Sequence, residues 1–350
     1  MNKNRNSYLD FWKGLACFGV VYFHTYYAFY WGNRDVGDLI KAFFRFAMPI
    51  FFMTSGYYCY YAENEVTAKK LKGKIKHIFK INVVASIVWL MMQVMIGYFG
   101  NSHGGIQGML VVMEEVFTPK KLIIWLVFNE DPFVKILWFI SALLYVYIMM
   151  GFINRLNMYR ISYVFAIVLL VVHYILGNVL KGFGINIGSI LYRNFLLMGF
   201  PLFMFGHYIH RNQDVLKKKI PVNRCILLLV LGELLVIPEW YLLGKTELSV
   251  GAIVAAFSIF LLSLHMPERK KKSLVSYIGA DLSLFIYIMH MAVRLVLDRF
   301  TEFLFPPGSR GYRIYEIIRF LICFAICVVG GIVFNKMKEI VKRKNEVKNV

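Results

Sequence analysis

Charge is scarce in this chain, and acid is scarcer. Only 17% of the 350 residues are charged, and 20 Asp and Glu stand against 40 Lys and Arg, a formal net charge of +20 at pH 7. Soluble domains carry about 25% charged residues, so an ordinary soluble enzyme with polar loops and half-polar helices is excluded as a reading. Cysteine is sparse as well. Cys17, Cys59, Cys225, Cys323 and Cys327 all lie in or beside apolar stretches. Cys323 and Cys327 share a helix face at i, i+4, which is not a CxxC spacing, and no second pair accompanies them. Neither a disulfide nor a metal site is expected. A Walker lysine loop, GxGxxG, HExxH and a GxSxG elbow are all missing, so nothing supports nucleotide hydrolysis or a soluble Ser-His-Asp hydrolase. No convincing internal repeat is visible, which weighs against a transporter built on inverted repeats.

Hydrophobic residues are abundant, at 59% of the chain. They form runs near the roughly 20 residues that carry a helix across a hydrocarbon core of about 30 Å. Backbone polar groups in lipid must be satisfied within the segment, so helices are the natural form. The pattern predicts an all-α, polytopic membrane helical bundle of about ten transmembrane helices, as a single membrane domain over residues 1–350. The spans lie near 11–31, 39–62, 81–99, 136–153, 161–176, 190–209, 225–243, 248–264, 275–297 and 315–334. The stretch 110–128 is apolar but holds Glu114, Glu115, Lys120 and Lys121, and reads as one or two interfacial helices. Basic residues gather at the N-terminus and at 69–80, 155–160, 211–224, 269–272 and 336–348. These are alternate loops, so both termini are expected in the cytoplasm. The basic balance then reflects membrane topology rather than nucleic-acid binding. The first span is too long and too aromatic for a cleaved signal peptide. The longest non-spanning stretch, 100–135, and a second one, 298–312, with Pro306, Pro307 and Gly308 as a turn signal, are expected outside.

Ionisable groups within such spans are costly, and each is a functional candidate. The first span carries Asp10, Lys13 and His24. Lys13 and His24 are eleven residues apart, about three helical turns, so they share nearly one face some 16 Å apart. Asp10 is placed to pair with Lys13. His24, near mid-bilayer, has the chemistry of a general base, or else its ring merely bonds a neighbouring helix. In the second span Arg45 precedes Pro49, which is expected to kink or loosen the helix. Further embedded polar groups are His173, Arg193, Asn194, His207, Glu233, Glu239, His290 and Arg294. Arg193 is a possible partner of Glu233, His207 and His210 are expected at an interface, and His290 and Arg294 lie four apart on one face. The segment 69–80 is either a positive-inside anchor on anionic lipid or a phosphate-binding surface for a nucleotide-type donor, and both roles are compatible.

Several of these residues fall into motifs. Leu9-Asp10, Lys13 and, after ten intervening residues, His24 form the first. Arg45 followed by Phe51-Phe52, Ser55-Gly56-Tyr57 forms the second. Leu137-Trp138-Phe139 comes next, then Arg193-Asn194 with Gly199, Pro201-Leu202-Phe203 and Gly206, and last Ser283-Leu284, Tyr287, His290. In this order, over roughly residues 8–295, the chain resembles the acyltransferase-3 family of ten- or eleven-span bacterial O-acyltransferases that modify cell-surface sugars. Lys13 stands where the family more often has Arg, keeping the charge but not the planar bidentate fork. The resemblance implies acyl transfer from cytosolic acyl-CoA, commonly acetyl-CoA, to an extracytoplasmic hydroxyl of a cell-surface glycan or lipid-linked sugar. The place implied is the bacterial cytoplasmic membrane, with no bound cofactor. It implies His24 as catalytic residue with Lys13 and Asp10 beside it. Lys13 and the Lys72, Lys76 and Lys80 surface would hold the donor. Arg45, Trp138, Arg193 and His290 would face substrate, and Arg45, Arg193 or an embedded Tyr would steady an oxyanion. A different reading is transport of a small solute such as serine, because the membrane half of the vancomycin-resistance serine racemase resembles the same fold.

Overall fold

The computed structural model describes residues 5–31, 34–100, 104–244, 246–267 and 273–348. The basic run at 269–272 lies outside the described residues. The first half of the chain holds α1 (Ser7–Thr25), a two-residue antiparallel ladder (Tyr30–Trp31 with Arg34–Asp35), α2 (Val36–Phe43), α3 (Ala47–Tyr57), α4 (Asn64–Phe99), α5 (Ile106–Val116), α6 (Pro119–Phe128), α7 (Trp138–Leu156) and α8 (Tyr159–Tyr174). After these come α9 (Leu180–Gly182), α10 (Phe200–Arg211), α11 (Gln213–Lys219), α12 (Val222–Leu243), α13 (Val250–His265), α14 (Leu274–Tyr277), α15 (Ser283–Leu304) and α16 (Arg310–Lys348). Widened π turns at Ile175–Val179, Phe195–Gly199 and Ile278–Leu282 join neighbouring helices.

Among the described residues, six helical stretches are long and apolar enough to cross a membrane: Asn64–Phe99, Lys135–Leu156, Tyr159–Gly182, Val222–Leu243, Leu274–Leu304 and Arg310–Lys344. Val250–His265 is apolar but shorter. Their outer faces are greasy. Leu227, Val230 and Leu234 on α12 and Leu321, Val329 and Val333 on α16 are all exposed. Apolar faces this extensive and unpaired fit lipid rather than water as the surrounding medium.

Several expected boundaries move. The first helix stops at Thr25 rather than at residue 31, because Tyr26 turns extended with ψ 152°. The aromatic run that follows looks apolar in sequence but folds into the small ladder. The second stretch is interrupted by a 3-10 turn at Phe44–Phe46. Pro49 has no N–H for the carbonyl of Arg45, and the helical ladder breaks there, one turn ahead of the proline. The segment 190–194 is not α-helical: a 3-10 turn covers Ser189–Leu191, and the π turn starts at Phe195. The basic segment 69–80 and the span after it are one 36-residue helix, α4, roughly 54 Å long at about 1.5 Å per residue. The expected interfacial stretch is two short helices, α5 and α6. The stretch 298–312 is mostly helix, and the loop shrinks to residues 305–309.

Contacts divide the chain into two compact units. The first is Met1–Phe51 with Lys217–Lys245 and Ser249–Val350; the second is Phe52–Leu216 with Thr246–Leu248. In the first, α1 meets the π turn at Ile278–Leu282 backbone to backbone. A Cβ on Gly279 would lie 2.0 Å from the Asp10 carbonyl oxygen, and one on Gly14 would lie 2.2 Å from that of Val275. Close approach through glycine is how apolar helices gain contact where lipid competes equally for their side chains. Cys17 and Val21 of α1, Ile286 of α15 and Cys323 and Cys327 of α16 form the core above that crossing. All five cysteines are buried free thiols. Glu239 of α12 is accounted for structurally: its two carboxylate oxygens accept the Val250 and Gly251 N–H groups, each at 2.9 Å, at the start of α13.

In the second unit α3 crosses α10 just as tightly. A Cβ on Gly56 would lie 1.9 Å from the Phe203 carbonyl oxygen, and one on Gly206 1.9 Å from that of Met53. The buried turn after α6 is held by Asn129, in the left-handed region at φ 57°, which bonds the Trp138 carbonyl and the Phe195 N–H. Asp131 accepts from Phe133 N, Val134 N and the Ser86 hydroxyl.

Candidate active site

Helix α1 begins at a conventional cap, the Asn6 side chain accepting from the N–H groups of Tyr8 and Leu9. It carries Asp10 in its first turn, where the helix dipole favours an anion. Asp10 takes Arg5 as its ion partner at 2.9 Å, in place of the expected Lys13. Lys13 is half-buried beside Gly279 at the crossing.

At the other end α1 stops at Thr25, so the carbonyls of His24 and Thr25 have no helical N–H four residues on. Arginines from two other helices fill that gap. Arg294 of α15 donates through Nη1 to the His24 carbonyl. Arg319 of α16 donates through Nε to the Thr25 carbonyl at 3.1 Å. Between the two guanidinium groups stands Asp298, with Oδ2 3.2 Å from Arg294 Nε and Oδ1 3.2 Å from Arg319 Nη1. The Tyr315 hydroxyl donates to the same Oδ1 at 2.6 Å. Two positive charges thus share one negative charge at the end of α1 and leave a net positive charge there.

The His24 side chain is exposed, and its ring centroid lies 5.1 Å from that of His290. His290 is fully buried. Its Nδ1 lies 3.0 Å from the Ile286 carbonyl, which can only accept, so Nδ1 carries the proton. Its Nε2 is buried and has no hydrogen-bond partner among the described residues. A neutral ring in that tautomer presents a lone pair at Nε2. The Cys323 thiol donates to the His290 carbonyl at 3.3 Å.

Helical register builds this group. Residues 282, 286, 290, 294 and 298 follow one another at i+4 along α15 and the turn before it, and 315, 319, 323 and 327 do so along α16. In both rows the apolar members, Leu282 and Ile286 or Cys323 and Cys327, lie in the core. The polar members continue the same faces to the end of α1. Asp298, Tyr315 and Arg319 were not among the expected site residues. The spacings Arg294–Asp298 and Tyr315–Arg319 were the available signal.

Arg45 stacks its guanidinium over Phe23, 5.2 Å from the ring centroid, next in sequence to His24. Trp138 and Arg193 belong to the second unit and meet each other there at 5.7 Å. Arg193 pairs with Glu247 at 3.9 Å rather than with Glu233. Lys72, Lys76 and Lys80 are exposed along one side of α4. The basic side chain that turns inward is Lys74, bonded to the Tyr58 carbonyl at 2.8 Å and 5.6 Å from the Tyr147 ring centroid. His207, expected at an interface, is buried. Its Nδ1 lies 2.8 Å from the Tyr163 hydroxyl, and its ring stacks on Tyr159. Among the described residues no three His, Cys, Asp or Glu side chains converge as metal ligands would.

An exposed imidazole beside a second one, on a helix end surrounded by cationic groups, can accept a proton from a hydroxyl and steady developing negative charge. A family model described as an acyltransferase domain matches residues 6–336, nearly the whole chain. No curated protein and no solved structure gave a significant match. With apolar spanning helices and that match over both units, the chain belongs to the acyltransferase-3 family of membrane acyltransferases.

Proposed function

We propose that this chain is an O-acyltransferase of the bacterial cytoplasmic membrane. It moves an acyl group, acetyl in the simplest case, from cytosolic acyl-CoA to a hydroxyl of a cell-surface glycan or lipid-linked sugar. It does so as one membrane domain over residues 1–350, with about ten crossings and both termini in the cytoplasm. The clustering of Lys and Arg in alternate loops supports that topology.

The observation that carries the reading is the exposed His24 ring, 5.1 Å from His290, on a helix end held by Arg294 and Arg319. His24 takes the proton of the acceptor hydroxyl as its oxygen attacks the thioester carbonyl. A carbon–oxygen bond forms, the carbon–sulfur bond breaks, and His24 returns the proton to the departing CoA thiolate. An acyl-imidazole at His24, formed first and then discharged to the hydroxyl, gives the same balance. Arg294 and Arg45 supply positive charge on this side of the molecule for the tetrahedral oxyanion. Lys13 and the exposed Lys72, Lys76 and Lys80 hold the phosphates of the donor by point charge. Trp138, buried beneath the Arg193 guanidinium, holds that cation in place, and Arg193 bonds the hydroxyls of the sugar.

The test is transfer of label from radioactive acetyl-CoA by membranes holding equal amounts of the parent chain or His24→Gln. Label reaching glycan or water in the parent alone supports the proposal. Full activity in a correctly folded His24→Gln protein would remove both routes.

A further inference from the structure

We infer that Asp298 and Arg319 are positioning residues for His24: with Arg294 they form a clamp on the last two carbonyls of α1, and this clamp sets where the His24 ring stands. The inference rests on the proposal that His24 is the reacting group.

A helix end leaves its last carbonyls without partners, and here two consecutive ones, at His24 and Thr25, are taken by side chains from α15 and α16. Cations at a helix C-terminus are also favoured by the helix dipole. Neither guanidinium is left to find its own place. Asp298 holds both through different oxygens, and Tyr315 adds a third donor to the carboxylate. Arg319 is the less exposed of the two, at 11% against 31% for Arg294, and it ties α16 to both α1 and α15. A guanidinium can donate along two edges at once, whereas a lysine ammonium is a single point. The fork is therefore what lets one side chain hold Asp298 and Thr25 together. The reacting ring sits on the residue whose own carbonyl is held, so a shift of the helix end moves the ring directly. A misplacement of about 1 Å at a reacting group costs on the order of 10²-fold in rate.

The experiment uses the full chain in nanodiscs and has two arms. In the first, Arg319→Gln and Arg319→Lys are compared with the parent for kcat and for KM of acetyl-CoA. Arg319→Gln is expected to lower kcat by about 10- to 100-fold with KM within about 3-fold, and Arg319→Lys to recover part of the loss. The second arm needs no turnover. The sequence contains a single His-Thr pair, 24–25, and a single Thr-Tyr pair, 25–26. Carbonyl-13C His with 15N-Thr, or carbonyl-13C Thr with 15N-Tyr, therefore isolates each clamped carbonyl as one resonance in solid-state NMR. Arg319→Gln should move the Thr25 carbonyl resonance, and Asp298→Asn should move both. An unmoved Thr25 resonance in Arg319→Gln would overturn the clamp. A moved resonance with unchanged kcat would overturn its positioning role. If the parent transfers no acyl group at all, the proposed function fails separately, and the carbonyl resonances still decide the clamp.

Discussion

His207 in the second unit and His24 in the first both lie on helices crossed at glycine-to-backbone contacts, and they differ in how far their rings are open to the surroundings. His207 is 1% exposed, stacked on Tyr159 at an interplanar angle of 8°, with Nδ1 bonded to the Tyr163 hydroxyl. It is a packed and engaged part of an aromatic core. His24 has an exposed ring, and its neighbour His290 keeps a buried Nε2 without a partner among the described residues. Buried polar atoms are nearly always satisfied, and this open nitrogen lies beside an exposed imidazole. Exposure of the ring, rather than residue type, separates these two histidines.

Replacing each of the two histidines by an inert residue separates their roles most sharply. His24→Gln is expected to lower acetyl transfer by about 10²- to 10⁴-fold. His207→Phe should keep kcat/KM within about 3-fold per folded molecule and lower only the apparent Tm. Equal inactivation of both, at equal folded amount in a membrane transfer assay, would erase the distinction. The glycine crossings give the next largest effect. Gly279→Ala and Gly56→Ala each push a methyl into a neighbouring backbone, an overpacking worth about 1–3 kcal/mol. Both should lower the apparent Tm in detergent. Only Gly279→Ala, at the α1 crossing, should also lower the kcat of the protein that remains folded.

A smaller effect tests the charged side of α4. Neutralising Lys72, Lys76 and Lys80 together to Gln should raise KM for acyl-CoA several-fold, less at high salt, and leave kcat unchanged. Lys74→Gln, which removes a charged donor from the Tyr58 carbonyl and from the Tyr147 ring, should instead show up as lost stability. The smallest effect concerns Asp131, whose carboxyl is pushed above the usual range by burial, against the bonds from Val134, Phe133 and Ser86. A raised native pKa means the native state binds more protons than the unfolded chain, so stability from this group falls as pH rises through it. Measured from pH 4 to 7, the parent should lose apparent Tm relative to Asp131→Asn, by on the order of a degree or two.

Much of this was legible in advance. The spacing of Lys13 and His24, the i+4 step from His290 to Arg294 and the apolar runs all follow from helical periodicity, and the structure places His290 against His24. What stayed hidden had physical causes. Asp298 sits where charged residues and Pro306-Pro307-Gly308 spoke for a loop, yet on the helix its charge is matched by Arg294 and Arg319. Arg319 stood in a run so apolar that one arginine did not stand out. Tyr26, Tyr27, Phe29 and Tyr30 extended the apparent first span because aromatic rings read as apolar whether or not their backbone is helical. No single-sequence signal marks a π turn, so the exact faces after residues 179, 199 and 282 could not be counted.

The π turn at Ile278–Leu282 also has a hereditary consequence. A π turn closes i→i+5 instead of i→i+4, so it holds one residue more than the helix on either side needs. The loss of a single codon there would let the turn close as ordinary helix, with Val275 still against Gly14 and Ile286 still in its core. At any point from Ser283 to Met289 the same loss would rotate His290 by about 100° away from His24. This five-residue stretch is therefore where the gene can change length by one without scrambling what lies downstream.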